Sequence, residues 1–158
     1  MSPQLPRERP VLIESTIRLY GVLSRLESEI RLDATVRELV KIRASQINQC
    51  AFCLDIHWKD AHAAGESEER LYSLAAWRES PLYSERERAA LALCEAITLI
   101  ADIGVPDDVW DRAAEWFQPG ELAHLVFAIT AINSWNRLTI SARTEPGHSQ
   151  PPPLQEAA

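Results

Sequence analysis

The sequence predicts an all-α protein with a single domain. Apolar residues recur three and four positions apart along most of the chain, which is the period of an amphipathic helix, and no window shows the alternation of a strand. Residues that cap helices separate these segments. A chain of 158 residues is long enough for one hydrophobic core of ordinary size. We therefore expect one bundle of about six to seven helices.

Apolar stripes predict the first two helices. The first is expected from Val11 to Leu32. The second starts at Asp33 or Thr35, because either side chain can accept hydrogen bonds from the first backbone amides of a helix. This second helix is expected to end near Asn48.

Two shorter helices follow. Asn48 is a suitable N-cap for a third helix over residues 49–64, which Gly65 closes. A fourth helix begins at Ser67 and ends near Ala76. Together they occupy the middle of the chain.

Three more helices are predicted in the C-terminal half. Ser84 and Glu87 have the spacing of a capping box, and the helix behind them continues to about Ala101. Pro106 is favoured at a helix start and opens the next helix, which continues to about Phe117. A long apolar helix over residues 121–142 is expected at the centre of the core.

Both ends of the chain are predicted to lie outside the helical domain of residues 11–143. Residues 1–10 are expected to be flexible. Residues 144–158 are rich in proline and lack an apolar period, which predicts a disordered tail.

The charge balance disfavours two classes of partner. Lys and Arg number 16 against 23 Asp and Glu, for a net charge of -7, whereas nucleic acids and anionic membranes attract concentrated positive charge. No stretch approaches the roughly 20 apolar residues that span a bilayer, and the N-terminus lacks the apolar run of a signal peptide. We therefore expect a cytoplasmic protein, in which the three cysteines persist as thiols.

Cys50, Cys53 and His57 form the most informative motif, within the segment CAFCLDIH. Spacings of three, four and seven residues place their side chains on one side of a helix. Close to the helix N-terminus, unpaired backbone amides and the helix dipole favour a thiolate. A histidine at this distance can accept or return a proton. The motif therefore predicts thiol chemistry.

Other interpretations of the cysteines fit less well. Cys94 lies within an apolar stripe and is expected to be an inert core residue. A structural zinc site needs four ligands. His62, the nearest further candidate, is about 140° around the helix from the side that Cys50, Cys53 and His57 share. Leu54 stands where a haem-attachment motif has a histidine. We expect neither a metal nor a cofactor.

Glu38 completes a longer pattern, because eleven residues separate it from Cys50. The pattern Glu, eleven residues, Cys, two, Cys, three, His resembles that of the AhpD-like alkylhydroperoxidase family, a branch of the carboxymuconolactone decarboxylase superfamily. The similarity covers roughly residues 32–141 and includes the segments ELVKIRASQINQCAFCLDIH, ERAALALCEAIT and INSWNR. One subgroup of the family has a histidine between its cysteines, where this chain has Phe52.

The resemblance implies an AhpD-like helical bundle that forms homo-oligomers, often trimers or hexamers, and reduces hydroperoxides. It assigns the attack on the peroxide to Cys53, condensation to a disulfide to Cys50, and proton transfer to His57 and Glu38. The residues alone favour ionisation of Cys50, so the order of the two cysteines stays open. The disulfide is expected to be reduced by a dithiol, such as a lipoyl group or a thioredoxin-like protein.

Other functions are compatible with the same residues. The pair could exchange with disulfides of other proteins, which would make the chain a protein thiol-disulfide oxidoreductase. A carboxymuconolactone decarboxylase-like lyase needs no thiol, and a helical scaffold would carry a vestigial site. Glu38 also has capping-box spacing from Thr35, so its carboxylate could simply start a helix.

Overall fold

The computed structural model describes Arg9 and residues 17–151, and this part of the chain forms eight α-helices and one 3-10 turn without any strand. The helices are α1 (Ile17–Ser28), α2 (Ala34–Ile47), α3 (Ala51–Ala63), α4 (Glu68–Ser73), α5 (Glu85–Thr98), α6 (Ile100–Ile103), α7 (Asp107–Trp116) and α8 (Pro119–Ala142), and the 3-10 turn is Leu74–Ala76. The predicted all-α, single-domain fold is confirmed. Among the described helices, none has the length and apolar character to cross a lipid bilayer.

Helix α8 forms the centre of the core. Its side chains Leu125, Ile129 and Ile132 are fully buried, and the helix packs against α1, α2, α3, α5 and α7. Burial of each such side chain contributes about 1.5–3 kcal/mol. The helix begins at Pro119, ahead of the predicted Glu121, because the fixed φ of proline suits the first helical position.

Helix α2 is buried on two sides. Val40 packs with residues of α5 and α8, whereas Leu39 and Ile42 pack with α3, α4 and the 3-10 turn. This position between two layers also buries the charged residues Glu38 and Lys41 of the same helix. The charged groups of Glu38 and Lys41 therefore lie inside the molecule.

Two predicted helix starts are confirmed in atomic detail. Asp33 caps α2, because its carboxylate accepts a hydrogen bond of 3.0 Å from the backbone N–H of Val36, and Thr35 lies inside the helix. Ser84 and Glu87 form the predicted capping box at the start of α5. Since Asp33 holds the cap position, Glu38 does not start α2.

The predicted N-cap of the third helix is wrong. Asn48 ends α2, and its side-chain amide donates hydrogen bonds to Asn133 Oδ1 at 2.9 Å and to Asn136 Oδ1 at 2.8 Å, both on α8. These tertiary partners compete with the local capping role that sequence preference suggests. The N-cap of α3 is Cys50.

Other helix boundaries also differ from the prediction. The first helix ends at Ser28, and residues 11–16 of its predicted range lie outside the described residues. The fifth predicted helix ends at Thr98, because Leu99 leaves the helical conformation with φ -99° and ψ 29°. The short helix α6 follows, and Gly104 closes it with φ +69°, a value that favours glycine.

The start of the predicted disordered tail packs on α3. Asp55 accepts hydrogen bonds from the backbone N–H of Gly147 at 3.0 Å and from Ser149 Oγ at 2.8 Å, and Lys59 donates to the carbonyl of Ser149. These contacts hold the segment although it lacks an apolar period. The rest of the predicted tail, residues 152–158, and residues 1–8 and 10 of the predicted flexible N-terminus lie outside the described residues.

Candidate active site

The turn between α2 and α3 places Cys50 at the helix N-terminus. Gln49 adopts a left-handed conformation with φ +58°, which is uncommon for a residue other than glycine. The chain direction changes there, and Cys50 becomes the N-cap, with its Sγ accepting the backbone N–H of Cys53 at 3.3 Å. The sequence predicts Cys50 in the first turn, and the structure places it one position earlier.

One hydroxyl group of α8 joins the two thiols. Thr139 Oγ1 lies 3.1 Å from Cys50 Sγ and 3.3 Å from Cys53 Sγ. Both cysteines are free thiols and almost fully buried, with 1% and 3% of their surface exposed. Sequence reasoning misses Thr139, because it lies more than 80 residues along the chain from either cysteine.

The surroundings of the pair favour ionisation of Cys50 over Cys53. The Cys53 thiol donates to the Cys50 sulfur, and together with Thr139 and the backbone N–H of Cys53 it lowers the pKa of Cys50 to about 6, although burial opposes the shift. The same interaction with Cys50, reinforced by burial, raises the pKa of Cys53. The two sulfurs therefore share one proton near neutral pH, with the negative charge on Cys50.

His57 and Glu38 form a second hydrogen-bonded pair, between α3 and α2. Nδ1 of His57 lies 3.0 Å from Oε2 of Glu38, and Arg37 Nε donates to the other carboxylate oxygen at 3.2 Å. Burial alone raises the pKa of Glu38, but the hydrogen bond with His57 and the charges of Lys41 and Arg37 lower it to about 2. An ionised carboxylate only accepts hydrogen bonds, so Nδ1 of His57 carries the hydrogen of this bond, and Nε2 is the ring nitrogen left for proton transfer.

The two sulfurs line different cavities. Cys53 and His57 share a cavity of about 230 Å³ with Glu27 of α1 and Trp135 of α8. Cys50 lines another cavity, of about 400 Å³, whose walls include apolar side chains of α3, α8 and the C-terminal segment: Ala51, Phe52, Ile140 and Pro146. Thr139 and Phe52 line both cavities.

A chain of charges connects α1 to the histidine. Glu27 forms an ion pair with the buried Lys41 and accepts a hydrogen bond of 3.0 Å from Trp135 Nε1. Lys41 Nζ lies 3.7 Å from Glu38 Oε1. Lys41 thus contacts two carboxylates, one that lines the cavity and one that is hydrogen-bonded to His57.

The predicted residues meet in two groups. Glu38 contacts His57, and Cys50 contacts Cys53, while among the described residues no hydrogen bond links His57 directly to either sulfur. Cys53 and His57 instead face the same cavity, which leaves room for a small molecule between them. Glu27 and Lys41 are missed by sequence reasoning, since isolated charged residues usually indicate an exposed surface.

Cys94 is a core residue, as predicted. It is fully buried, and its Sγ donates to the carbonyl oxygen of Val40 at 3.2 Å. Burial raises the pKa of the Cys94 thiol to about 12, which keeps it protonated and unreactive.

Glu38, His57 and Asp60 are the described residues that come close enough to share a cation, with ligand atoms within 4.8 Å of one another. The Glu38 carboxylate already has cationic partners in Arg37 and Lys41. Burial and the negative charge of Glu38 raise the pKa of Asp60. The ionic network accounts for this cluster without a metal ion.

Comparison with known proteins places this arrangement in a family. Residues 19–96 match the carboxymuconolactone decarboxylase family. The uncharacterized protein YdfG of Bacillus subtilis (strain 168) is 45% identical over 119 residues, which are 75% of this chain and 81% of YdfG. A solved structure of a protein of unknown function from Agrobacterium tumefaciens, proposed to be the antioxidant defence protein AhpD, has a TM-score of 0.86 and 35% identity, covering 90% of this chain and 100% of that one. The chain belongs to the AhpD-like branch of the carboxymuconolactone decarboxylase superfamily.

The AhpD-like fold alone does not define the reaction. The debrominase Bmp8, solved in complex with 2,3,4-tribromopyrrole, has a TM-score of 0.75 at 15% identity, covering 85% of this chain and 72% of that chain. At this identity the likeness shows a shared fold only. The chemistry of this AhpD-like protein depends on the residues of its own site.

We expect one thiolate to form with a midpoint near pH 6, because the pKa of Cys50 is lowered to about 6 from an ordinary value of 9.0. The thiolate should be present at neutral pH and lost as the pH falls below the midpoint. Ultraviolet thiolate absorbance measured against pH tests this. Cys94→Ala should keep the transition and Cys50→Ala should abolish it; a single transition at the ordinary value in the wild type would contradict the assignment.

Proposed function

We propose that this protein is a thiol-dependent alkylhydroperoxide reductase that oxidises Cys50 and Cys53 to a disulfide. The observation that carries the proposal is the geometry of the pair: two buried free thiols contact one hydroxyl group, and one of them shares a cavity with a carboxylate-oriented histidine. A thiolate, a proton shuttle and a small cavity are what peroxide reduction by a dithiol requires.

The first step cleaves the peroxide. The Cys53 proton moves along the sulfur-sulfur hydrogen bond to Cys50, and the resulting Cys53 thiolate attacks the terminal oxygen of R–O–O–H. The O–O bond breaks, the sulfur is oxidised to a sulfenic acid, and the departing alkoxide leaves as the alcohol with one proton from Nε2 of His57, which has taken that proton from solvent. Glu38 stabilises the positive imidazolium between these transfers.

The second step forms the disulfide. The Cys50 thiol condenses with the Cys53 sulfenic acid, an S–S bond replaces the S–O bond, and one water molecule leaves with the thiol hydrogen. The lowered pKa of Cys50 suits this role, since a resolving thiol attacks as its thiolate. Over both steps two thiols are oxidised, and one hydroperoxide is reduced to an alcohol and water.

A dithiol then restores the pair. Its thiolate attacks the disulfide at Cys50, a mixed disulfide forms, and the second thiol of the reductant releases it. The larger apolar cavity beside Cys50 provides a route for this reductant. Because Cys50 is only 1% exposed, a dithiol on a narrow arm, such as a lipoyl group, fits this route better than the flat surface of a thioredoxin-like protein.

The burial of both sulfurs also distinguishes a peroxide reductase from a protein thiol-disulfide oxidoreductase. A protein thiol-disulfide oxidoreductase must bring a bulky disulfide into contact with a sulfur, and neither sulfur is accessible at the surface. A small hydroperoxide meets no such barrier. The burial therefore favours peroxide over a protein disulfide as the oxidant.

We expect mild peroxide to link Cys50 to Cys53 and to leave Cys94 reduced. Loss of free thiols against added peroxide, followed by mass spectrometry of the peptides, measures this. Cys94→Ala should lose two thiols per chain just as the wild type loses two of its three. Oxidation of Cys94 first, or the absence of the Cys50–Cys53 link, would contradict the proposal.

We expect Glu38→Gln to lower peroxide turnover by about 10²-fold, since removal of one acid-base partner has an effect of that order. Glutamine keeps the size and an oxygen acceptor but cannot stabilise the imidazolium. The matched control is Glu121→Gln, which removes the charge of a glutamate paired with Arg86 away from the site. Turnover in Glu38→Gln equal to that of the control would restrict the relay to His57 alone.

We also propose that the chain forms a homo-oligomer, a trimer or hexamer. Helix α1 contains no fully buried residue, and its apolar side chains Ile17, Leu19 and Val22 are 71%, 67% and 52% exposed. A second copy covering this face would remove apolar surface from water.

Sedimentation at micromolar concentration should show a species larger than the 17.8 kDa chain. A monomer alone would exclude this, and Leu19→Glu should weaken the association.

A further inference from the structure

Thr139 is placed to act on both sulfurs at once. Its Oγ1 lies at nearly equal distances from Cys50 Sγ and Cys53 Sγ, 3.1 and 3.3 Å, and 2.9 Å from the carbonyl oxygen of Trp135 in the preceding turn of α8. We propose that the Thr139 hydroxyl is a further catalytic residue, which redirects its single hydrogen onto whichever sulfur carries the negative charge and thereby stabilises the reduced pair relative to the disulfide. This rests on the dithiol chemistry proposed above.

The hydrogen-bond inventory requires such a reorientation. A hydroxyl group has one hydrogen and two lone pairs. While both cysteines are protonated, Thr139 can donate to the Trp135 carbonyl and accept from the two thiols. A thiolate has no hydrogen to donate, so the favourable arrangement then turns the Thr139 hydrogen toward the charged sulfur. The nearly equal distances make this possible for Cys50 and for Cys53.

Burial makes the interaction matter. Water does not readily replace the hydroxyl at sulfurs that are 1% and 3% exposed, and a buried charge without hydrogen bonds is costly. Thr139 itself is 6% exposed. Its donated hydrogen therefore stabilises the thiolate together with the backbone N–H of Cys53 and, when the charge lies on Cys50, the Cys53 thiol and the Asn136 side chain.

The disulfide gains less from the same group. Its sulfurs are neutral and carry no hydrogen, so neither can donate to Thr139 or attract its hydrogen strongly. In that state the hydroxyl can return to the Trp135 carbonyl. The hydroxyl therefore favours the reduced pair, which makes the disulfide easier to reduce.

The experiment compares Thr139→Val and Thr139→Ala, which remove the hydroxyl with and without filling its space, and Thr139→Ser, which keeps it. The matched control is Thr130→Val, because Thr130 lies on the same helix and donates to the carbonyl of Val126 at 2.9 Å, but at an exposed position. Two quantities are measured for each: the midpoint of the ultraviolet thiolate titration, and the dithiol-disulfide equilibrium in glutathione buffers.

We expect both hydroxyl-free variants to raise the thiolate midpoint by about one pH unit, a tenfold change that a lost hydrogen bond to a charge readily produces. We also expect the dithiol-disulfide equilibrium to shift about tenfold toward the disulfide, which corresponds to a reduction potential about 30 mV more negative. Thr139→Ser should restore both values, and Thr130→Val should change neither.

Wild-type values in both hydroxyl-free variants would overturn the proposal, and so would equal shifts in Thr130→Val, which would indicate a general effect on α8. The use of alanine as well as valine keeps the test valid if the larger side chain disturbs folding. Failure of the proposed function can be distinguished from failure of the Thr139 proposal. In the first case the wild type would form no disulfide with peroxide, while the thiolate titration would still test the role of Thr139.

Discussion

The paired hydrogen bonds from the Asn48 amide to α8 determine where the reactive groups lie. Asn48 donates to Asn133 and Asn136, and Asn136 in turn donates to Ser45 Oγ of α2 at 3.0 Å. This network fastens the end of α2 to the central helix at the point where the chain turns into α3. Each buried polar group that loses its partner costs about 1–3 kcal/mol, so the turn has one favourable position. The cap residue Cys50 follows from that position.

The second constraint is electrostatic and acts from the opposite side. The buried Lys41 ammonium group lies within ion-pair distance of the carboxylates of Glu27 and Glu38. Loss of either carboxylate would leave a buried charge with incomplete compensation, which is costly. The network joins α1 and α2 to the histidine of α3. The orientation of His57 is therefore set by residues that never touch the reacting sulfurs.

Most of the helices and the four residues of the motif could be predicted from the sequence, because helical period and spacing along one helix are local properties. Glu38 is found through its family spacing, and its contact with His57 depends on how α2 packs on α3. Thr139 could not be found, since nothing in its neighbourhood distinguishes it from any other threonine on a helix. The wrong cap at Asn48 has the same origin: local preference suggests a cap, and partners on α8, 85 and 88 residues away, use the side chain instead.

The presence of two cavities, one beside each sulfur and both lined by Thr139 and Phe52, has a kinetic consequence for the proposed cycle. In a ping-pong enzyme whose two reactants share one binding site, an excess of one reactant also occupies the enzyme form that must bind the other reactant. The reaction velocity then falls. In the proposed cycle the oxidant would occupy the cavity beside Cys53, and the reductant would occupy the cavity beside Cys50. Excess of one reactant then leaves the path of the other clear. Such an enzyme would keep its velocity when the peroxide concentration rises suddenly, whereas an enzyme with one shared site would be inhibited by its own substrate.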